Sequence, residues 1–159
     1  IVTGTIGSFA AFGEEGGWRG YMMPKLISLI KMKKAVIVGG IIWGLWHVPL
    51  ICVGHNFGMD YPGFPYLGVL AMCIYSVFTG IILTYVTVRS QSVWPAAILH
   101  GVNNASPSIL QAFMNPEKFT GLMSNSVARA LVYAIPVMII GCICLWRLCR
   151  DNAEIKACN

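Results

Sequence analysis

Long apolar runs broken at a few polar points set the pattern of this chain. Five runs approach the ~20 residues that a helix needs to cross a bilayer. They are Ile1 to Met23, Ala35 to Val53, Tyr66 to Val88, Trp94 to about Phe113, and Val127 to Leu148. Pro24-Lys25 interrupts the first, and Leu26 to Lys34 reads as a short amphipathic segment ending in Lys31, Lys33 and Lys34. The third run is the cleanest, with no charge inside. Gly39-Gly40 is a candidate break in the second, whereas Pro95 suits the first turn of the fourth, where its missing N–H costs nothing. Between the runs lie a Gly/Pro-rich loop from Gly54 to Pro65, a basic turn at Arg89 and a polar loop from Asn115 to Asn125. The pattern predicts an all-α, polytopic transmembrane helical bundle of about five spans plus the amphipathic segment. Residues 1–150 form one domain on this reading, and residues 151–159 a polar cytoplasmic tail. The chain opens at Ile1 directly into a span with no flank, so upstream helices are expected before it.

Composition agrees with a membrane protein. Hydrophobic residues are 57% of 159 and charged residues 11%, with a mean hydropathy of +0.70; a soluble domain carries about a quarter charged residues. The net charge of +5 does not point to nucleic acid, because the basic residues sit at the ends of apolar runs. Lys25 to Lys34, Arg89, Arg147, Arg150 and Lys156 fall on one side, leaving Lys118 and Arg129 on the other. The positive-inside rule then places the C-terminus in the cytoplasm. The cysteines Cys52, Cys73, Cys142, Cys144, Cys149 and Cys158 form no CxxC pair and read as small buried hydrophobes. Cys149, between Arg147 and Arg150, is a weak candidate for acylation.

The candidate chemistry begins at Gly13-Glu14-Glu15-Gly16-Gly17-Trp18-Arg19, which holds two of the six acidic residues. Three charges in a span cost on the order of 8 to 10 kcal/mol on insertion scales, a cost that usually marks a site. Glu15 and Arg19, four apart, share a helical face and can pair. Glu14 points about 100° away, free to act as a base if poor solvation raises its pKa. A structural Glu-Arg network explains Glu15 and Arg19 but leaves Glu14 unexplained. Glu14 lies eleven residues before Lys25, His47 thirteen after Lys34, and His100 eleven after Arg89. At 1.5 Å per residue, each is roughly 16 to 20 Å from the basic end of its span. Alone, His47 would read as a packing residue; the matching depth argues for a shared site. His100 and Asn104 are one turn apart and can offer two N–H donors to a negative oxygen, or simply clasp two helices. Pro107 is expected to disturb the carbonyl of Asn103. His55 has no assigned role, and Ser106 and Ser108 read as structural.

Glu14-Glu15-x-x-x-Arg19, then Trp43-x-x-x-His47, then His100-x-x-x-Asn104, resembles the CPBP family of intramembrane proteases, also called the Abi domain family. That family includes the type II CAAX prenyl endopeptidase and bacterial relatives linked to bacteriocin processing and immunity. The one departure is Trp43, where the family usually has phenylalanine. The resemblance implies an endopeptidase that cleaves a peptide bond near the membrane surface. In it Glu14 and His47 activate a water, His100 and Asn104 hold the oxyanion, and Glu15 and Arg19 support the site. Family members have also been described as metalloproteases, for which Glu14, His47 and His100 would be a His₂Glu zinc set. The chain has no HExxH, so the metal-free reading is preferred, with no cofactor. The expected partners are membrane lipid and a peptide or protein substrate, prenylated in the CAAX case, and the expected location is a bacterial plasma membrane. Two other classes stand beside this one. One is a transporter using the same groups as a relay, though no paired halves appear. The other is a non-catalytic bacteriocin-immunity or scaffold protein.

Overall fold

The computed structural model describes the backbone of residues 2–113 and 120–157, and the side chains of 7–106 and 120–150. Every regular element among them is helical. In chain order these are α1 (Val2–Glu15), a π-helical segment (Gly16–Met22), α2 (Met23–Ile30), α3 (Met32–Trp46), α4 (Val48–Cys52), α5 (Tyr66–Ser90), α6 (Trp94–Phe113) and α7 (Ser126–Ala157). A 3-10 turn at Gly121–Ser124 leads into α7. Three stretches are long and apolar enough to cross a membrane: Met32–Cys52, Tyr66–Ser90 and Ser126–Arg150. They correspond to the second, third and fifth expected spans. The first and fourth are also helices, but they carry the polar residues and pack against each other as α1 on α6. Helix α7 runs without a break into the segment expected to be a polar tail.

Two local expectations are corrected. Pro24 does not interrupt the first helix. The chain stays helical through Met22 and Met23, and the real corner is Lys31, at φ +67°. Proline clashes with the carbonyl four residues back. The widened π turn ahead of Pro24, in which the Met23 N–H reaches back five residues to the Trp18 carbonyl, relieves that conflict. Nor do Gly39-Gly40 break the second span, since α3 passes through both; the bend comes at His47, where α3 gives way to α4 just before Pro49.

Helix α5 is central, with α3 on one side and α7 on the other; α2 lies on α3, and α6 joins α1 to α5. Lipid tails are as apolar as leucine, so helix association in a membrane depends on close approach rather than on hydrophobic burial. The glycines supply that approach. A Cβ on Gly44 would lie 2.6 Å from the Cys73 Cα, and one on Gly101 would lie 2.6 Å from the Ser8 nitrogen. Gly40-x-x-x-Gly44 thus seats α3 on α5, and Gly101 seats α6 on α1. The outward faces keep their apolar side chains exposed, among them Ile41, Leu45, Ile139 and Ile143. The Met23, Val36, Ile81 and Leu148 cluster closes one end of the bundle. Ile51, Tyr61, Met72 and Val127 close the other. Between them Trp43 packs with Leu83 and Ala96, joining α3, α5 and α6.

Candidate active site

The last turn of α1 delivers Glu14 and Glu15, and the π segment delivers Arg19. Glu15 is fully buried and Arg19 is 4% exposed. The Arg19 Nη1 donates to Glu15 Oε1 at 2.9 Å, the pair their spacing led one to expect. From α6, His100 Nδ1 donates to the same Oε1, also at 2.9 Å. A carboxylate only accepts, so the Nδ1 carries the hydrogen and Nε2 is left as the uncommitted nitrogen of His100. Stripping an ion pair of water costs several kcal/mol per ion unless further hydrogen bonds compensate, and the His100 bond is one such compensation. Space for the guanidinium comes from Gly80 on α5, where a Cβ would stand 3.1 Å from Arg19 Nη2.

Trp43, in the last turn of α3, ties this pair to both histidines. The Arg19 guanidinium lies over its ring, 4.5 Å from the centroid. The rings of His100 and His47 meet it edge-on at 5.2 and 5.9 Å. His47 Nδ1 donates to the Trp43 carbonyl at 2.8 Å, which fixes the tautomer and leaves Nε2 able to accept a proton. His47 is half-buried, with Trp46 beside it at 5.1 Å.

The remaining sequence candidates are more open. Glu14 is half-buried and makes no hydrogen bond or ion pair with a described residue, whereas Asn104 is exposed. His100 and Asn104 therefore lie one turn apart on α6 but differ sharply in burial. Among the described residues no three His, Cys, Asp or Glu side chains are gathered closely enough to hold a metal ion. Glu14, His47 and His100 are thus not drawn together into such a group in this arrangement.

Sequence reasoning passed over Tyr75, whose hydroxyl donates to Asn103 Oδ1, because a tyrosine in an apolar span carries no motif. It also passed over Gly80 and Thr79, for the same reason. Ser106 behaves as expected: its hydroxyl donates to the Asn103 carbonyl at 2.8 Å. That carbonyl is the one whose helical donor Pro107 removes. Four buried polar atoms have no hydrogen-bond partner among the described residues: Glu15 Oε2, Arg19 Nε, Trp43 Nε1 and Thr79 Oγ1. A cavity of about 280 Å³ opens on the other side of Arg19, lined also by Met23, Thr84, Thr87 and Gln91; Glu14, His47 and His100 do not line it.

Fold and site together define a helical integral membrane protein with a charged, histidine-bearing centre between its helices. Residues 1–106 match the family described as Type II CAAX prenyl endopeptidase Rce1-like, and the chain belongs to that family. It is also 31% identical over 137 residues to a Methanococcus maripaludis protein named CAAX prenyl protease 2, an alignment covering 78% of this chain and 46% of the relative. The chain thus spans about half the length of the curated relative that it matches. No solved structure matches it.

Proposed function

We propose that this chain carries the catalytic centre of an intramembrane endopeptidase acting on CAAX-type or related substrates. The observation that carries the reading is the shared Glu15 oxygen, which orients Arg19 and His100 while Glu14 and His47 are only half-buried. In the reaction, a water loses a proton to Glu14, assisted by His47 Nε2, and its oxygen bonds to the scissile carbonyl carbon. The π electron pair moves onto the carbonyl oxygen. His100, doubly protonated, would present Nε2–H to that oxygen, and Asn104 a side-chain N–H. Collapse of the intermediate breaks the C–N bond, and the leaving amine takes the proton held by Glu14. The groups asked to meet water and substrate first, Glu14, His47 and Asn104, are the accessible ones. The basic ends of α3, α5 and α7 cluster at one end of the bundle, and we assign that end to the cytoplasm.

The test uses the natural full-length protein, reconstituted and offered a pooled peptide set that includes farnesylated CAAX peptides. New termini are read by mass spectrometry for wild type, Glu14→Ala, and wild type with a strong chelator. Cleavage by wild type that falls at least ~1,000-fold in Glu14→Ala, with unchanged insertion, is the expected result. Undiminished cleavage by Glu14→Ala would sink the glutamate mechanism, and loss with chelator would restore a metal-dependent one.

A further inference from the structure

Arg19 keeps donors that its pair with Glu15 does not use. A guanidinium carries five N–H groups, and among the described residues Arg19 is bonded through Nη1 to Glu15 Oε1. Nε is sealed without a partner, whereas Nη2 is not among the sealed atoms. Nη2 lies against α5, 3.1 Å from where a Cβ on Gly80 would stand. One turn on, Thr84 donates its hydroxyl to the Gly80 carbonyl at 2.7 Å. Arg19 and Thr84 are both walls of the cavity of about 280 Å³, so Nη2 is the donor placed at its Thr84 wall. The side chain is 4% exposed, and buried donors ordinarily have acceptors. For Nη2 the acceptor has to come from the cavity.

A second set of donors borders the same space. Ser92 and Val93 are also walls, and α6 starts at the next residue, Trp94, which brings the positive end of its dipole to the cavity. Ser92 Oγ accepts the Trp94 N–H at 3.3 Å and keeps its own hydrogen to donate. None of the wall residues is acidic, and Lys25 and Arg89 follow directly on the wall residues Pro24 and Val88. Met23 and Ile27 make part of the wall apolar. Together these groups suit an anion that carries an alkyl chain. The wall's cation is already shared with Glu15, so a single negative charge matches it better than a phosphate dianion. The volume lies just under the ~300 Å³ at which small-molecule sites begin. We propose that this cavity binds the carboxylate of a short-chain aliphatic acid. Arg19 Nη2, the Ser92 hydroxyl and the start of α6 hold the head, and Met23 and Ile27 pack the chain. Glu14, His47 and His100 do not line it, so the site is separate from the proposed reaction centre and meets it only through Arg19. Binding needs no proteolysis and does not depend on the endopeptidase reading.

The experiment follows thermal unfolding of the purified full-length protein in detergent, with hexanoate, hexanol or inorganic phosphate added at matched concentration and constant ionic strength. Hexanoate should raise the melting temperature saturably, by about 5 °C at roughly 100 times its Kd, as a ligand of the native state alone does. Hexanol lacks the charge and phosphate lacks the chain, so each should move it by less than about 1 °C at the same concentration. Ser92→Ala should weaken the hexanoate Kd about 10-fold, the usual effect of losing one hydrogen bond to a charge. Thr87→Trp, which fills the cavity from its α5 wall, should abolish the shift. No shift in wild type would overturn the proposal, as would hexanol or phosphate matching hexanoate, or Thr87→Trp responding like wild type. Should Thr87→Trp fail to fold, Ser92→Ala decides, and an unchanged Kd there overturns the proposal as well.

Discussion

Glu14 and Glu15 are adjacent in sequence and identical in chemistry, yet they belong to two different regions. Glu15 is sealed, with Arg19, His100 and the Trp43 ring around it. Glu14 is half-buried, with no hydrogen bond or ion pair to a described residue; His47 is also half-buried and Asn104 is exposed. The helix makes the difference, since a 100° turn per residue sends consecutive side chains to different surroundings. Buried charges are stable only when paired, and a general base is useful only when water and substrate can reach it. The sealed region thus pairs Glu15 with Arg19 and His100, and on the proposed reading the more open groups serve the reaction.

The sharpest way to break this comparison is to substitute the two glutamates in parallel and measure stability. Glu15→Ala leaves the buried Arg19 uncompensated and strips His100 of its acceptor, which should cost about 3–5 kcal/mol. Thermal unfolding in detergent should show a large fall, or the variant should fail to accumulate. Glu14→Ala should unfold within about 0.5 kcal/mol of wild type while losing activity. Equal stability losses in the two variants would mean that they do not sit in separate regions.

Next in size is Asn104→Ala. As an exposed donor, it supports no packing, so its loss should leave unfolding unchanged and lower kcat about 10- to 100-fold. Unaltered kinetics would remove Asn104 from the oxyanion role.

Much of the sealed region was legible in the sequence. The i, i+4 spacing of Glu15 and Arg19 carries across the π segment, because helical backbone continues through it. Equal depth in three spans put Glu14, His47 and His100 at one level; the structure instead bonds His100 to Glu15 and links His47 to His100 through the Trp43 ring, with no hydrogen bond from Glu14 to any of them. Ser106, read as structural, bonds the Asn103 carbonyl of its own helix. Other features were not readable. Pro24 looked like a break because its clash with the preceding turn has two solutions, ending the helix or widening it, and sequence does not choose between them. Gly39-Gly40 looked like another break because low helix propensity is local, while the value of Gly40 and Gly44 comes from α5 pressing against them. Tyr75 and Gly80 act only through partners on other helices, so no spacing along their own helix announces them.

The smallest expected effect tests how the open region is held. Tyr75 on α5 donates its hydroxyl to Asn103 Oδ1 on α6, one residue from Asn104 and one turn from His100. Helix α6 is held mainly by α1 and meets α5 less extensively, so this bond is a side-chain tie across the smaller of its two contacts. Tyr75→Phe removes one part-buried hydrogen bond and should cost about 1 kcal/mol of stability, consistent with measured inter-helix bonds in membranes. If the bond also sets the pitch of α6, kcat should fall several-fold in Tyr75→Phe, and Tyr75→Phe combined with Asn104→Ala should lose less than the product of the two separate effects. Non-additivity of that kind is what residues acting through one element produce. Multiplicative losses would instead make Tyr75 a packing residue with no hold on the site, and the open region would owe its geometry to α1 and α3 alone.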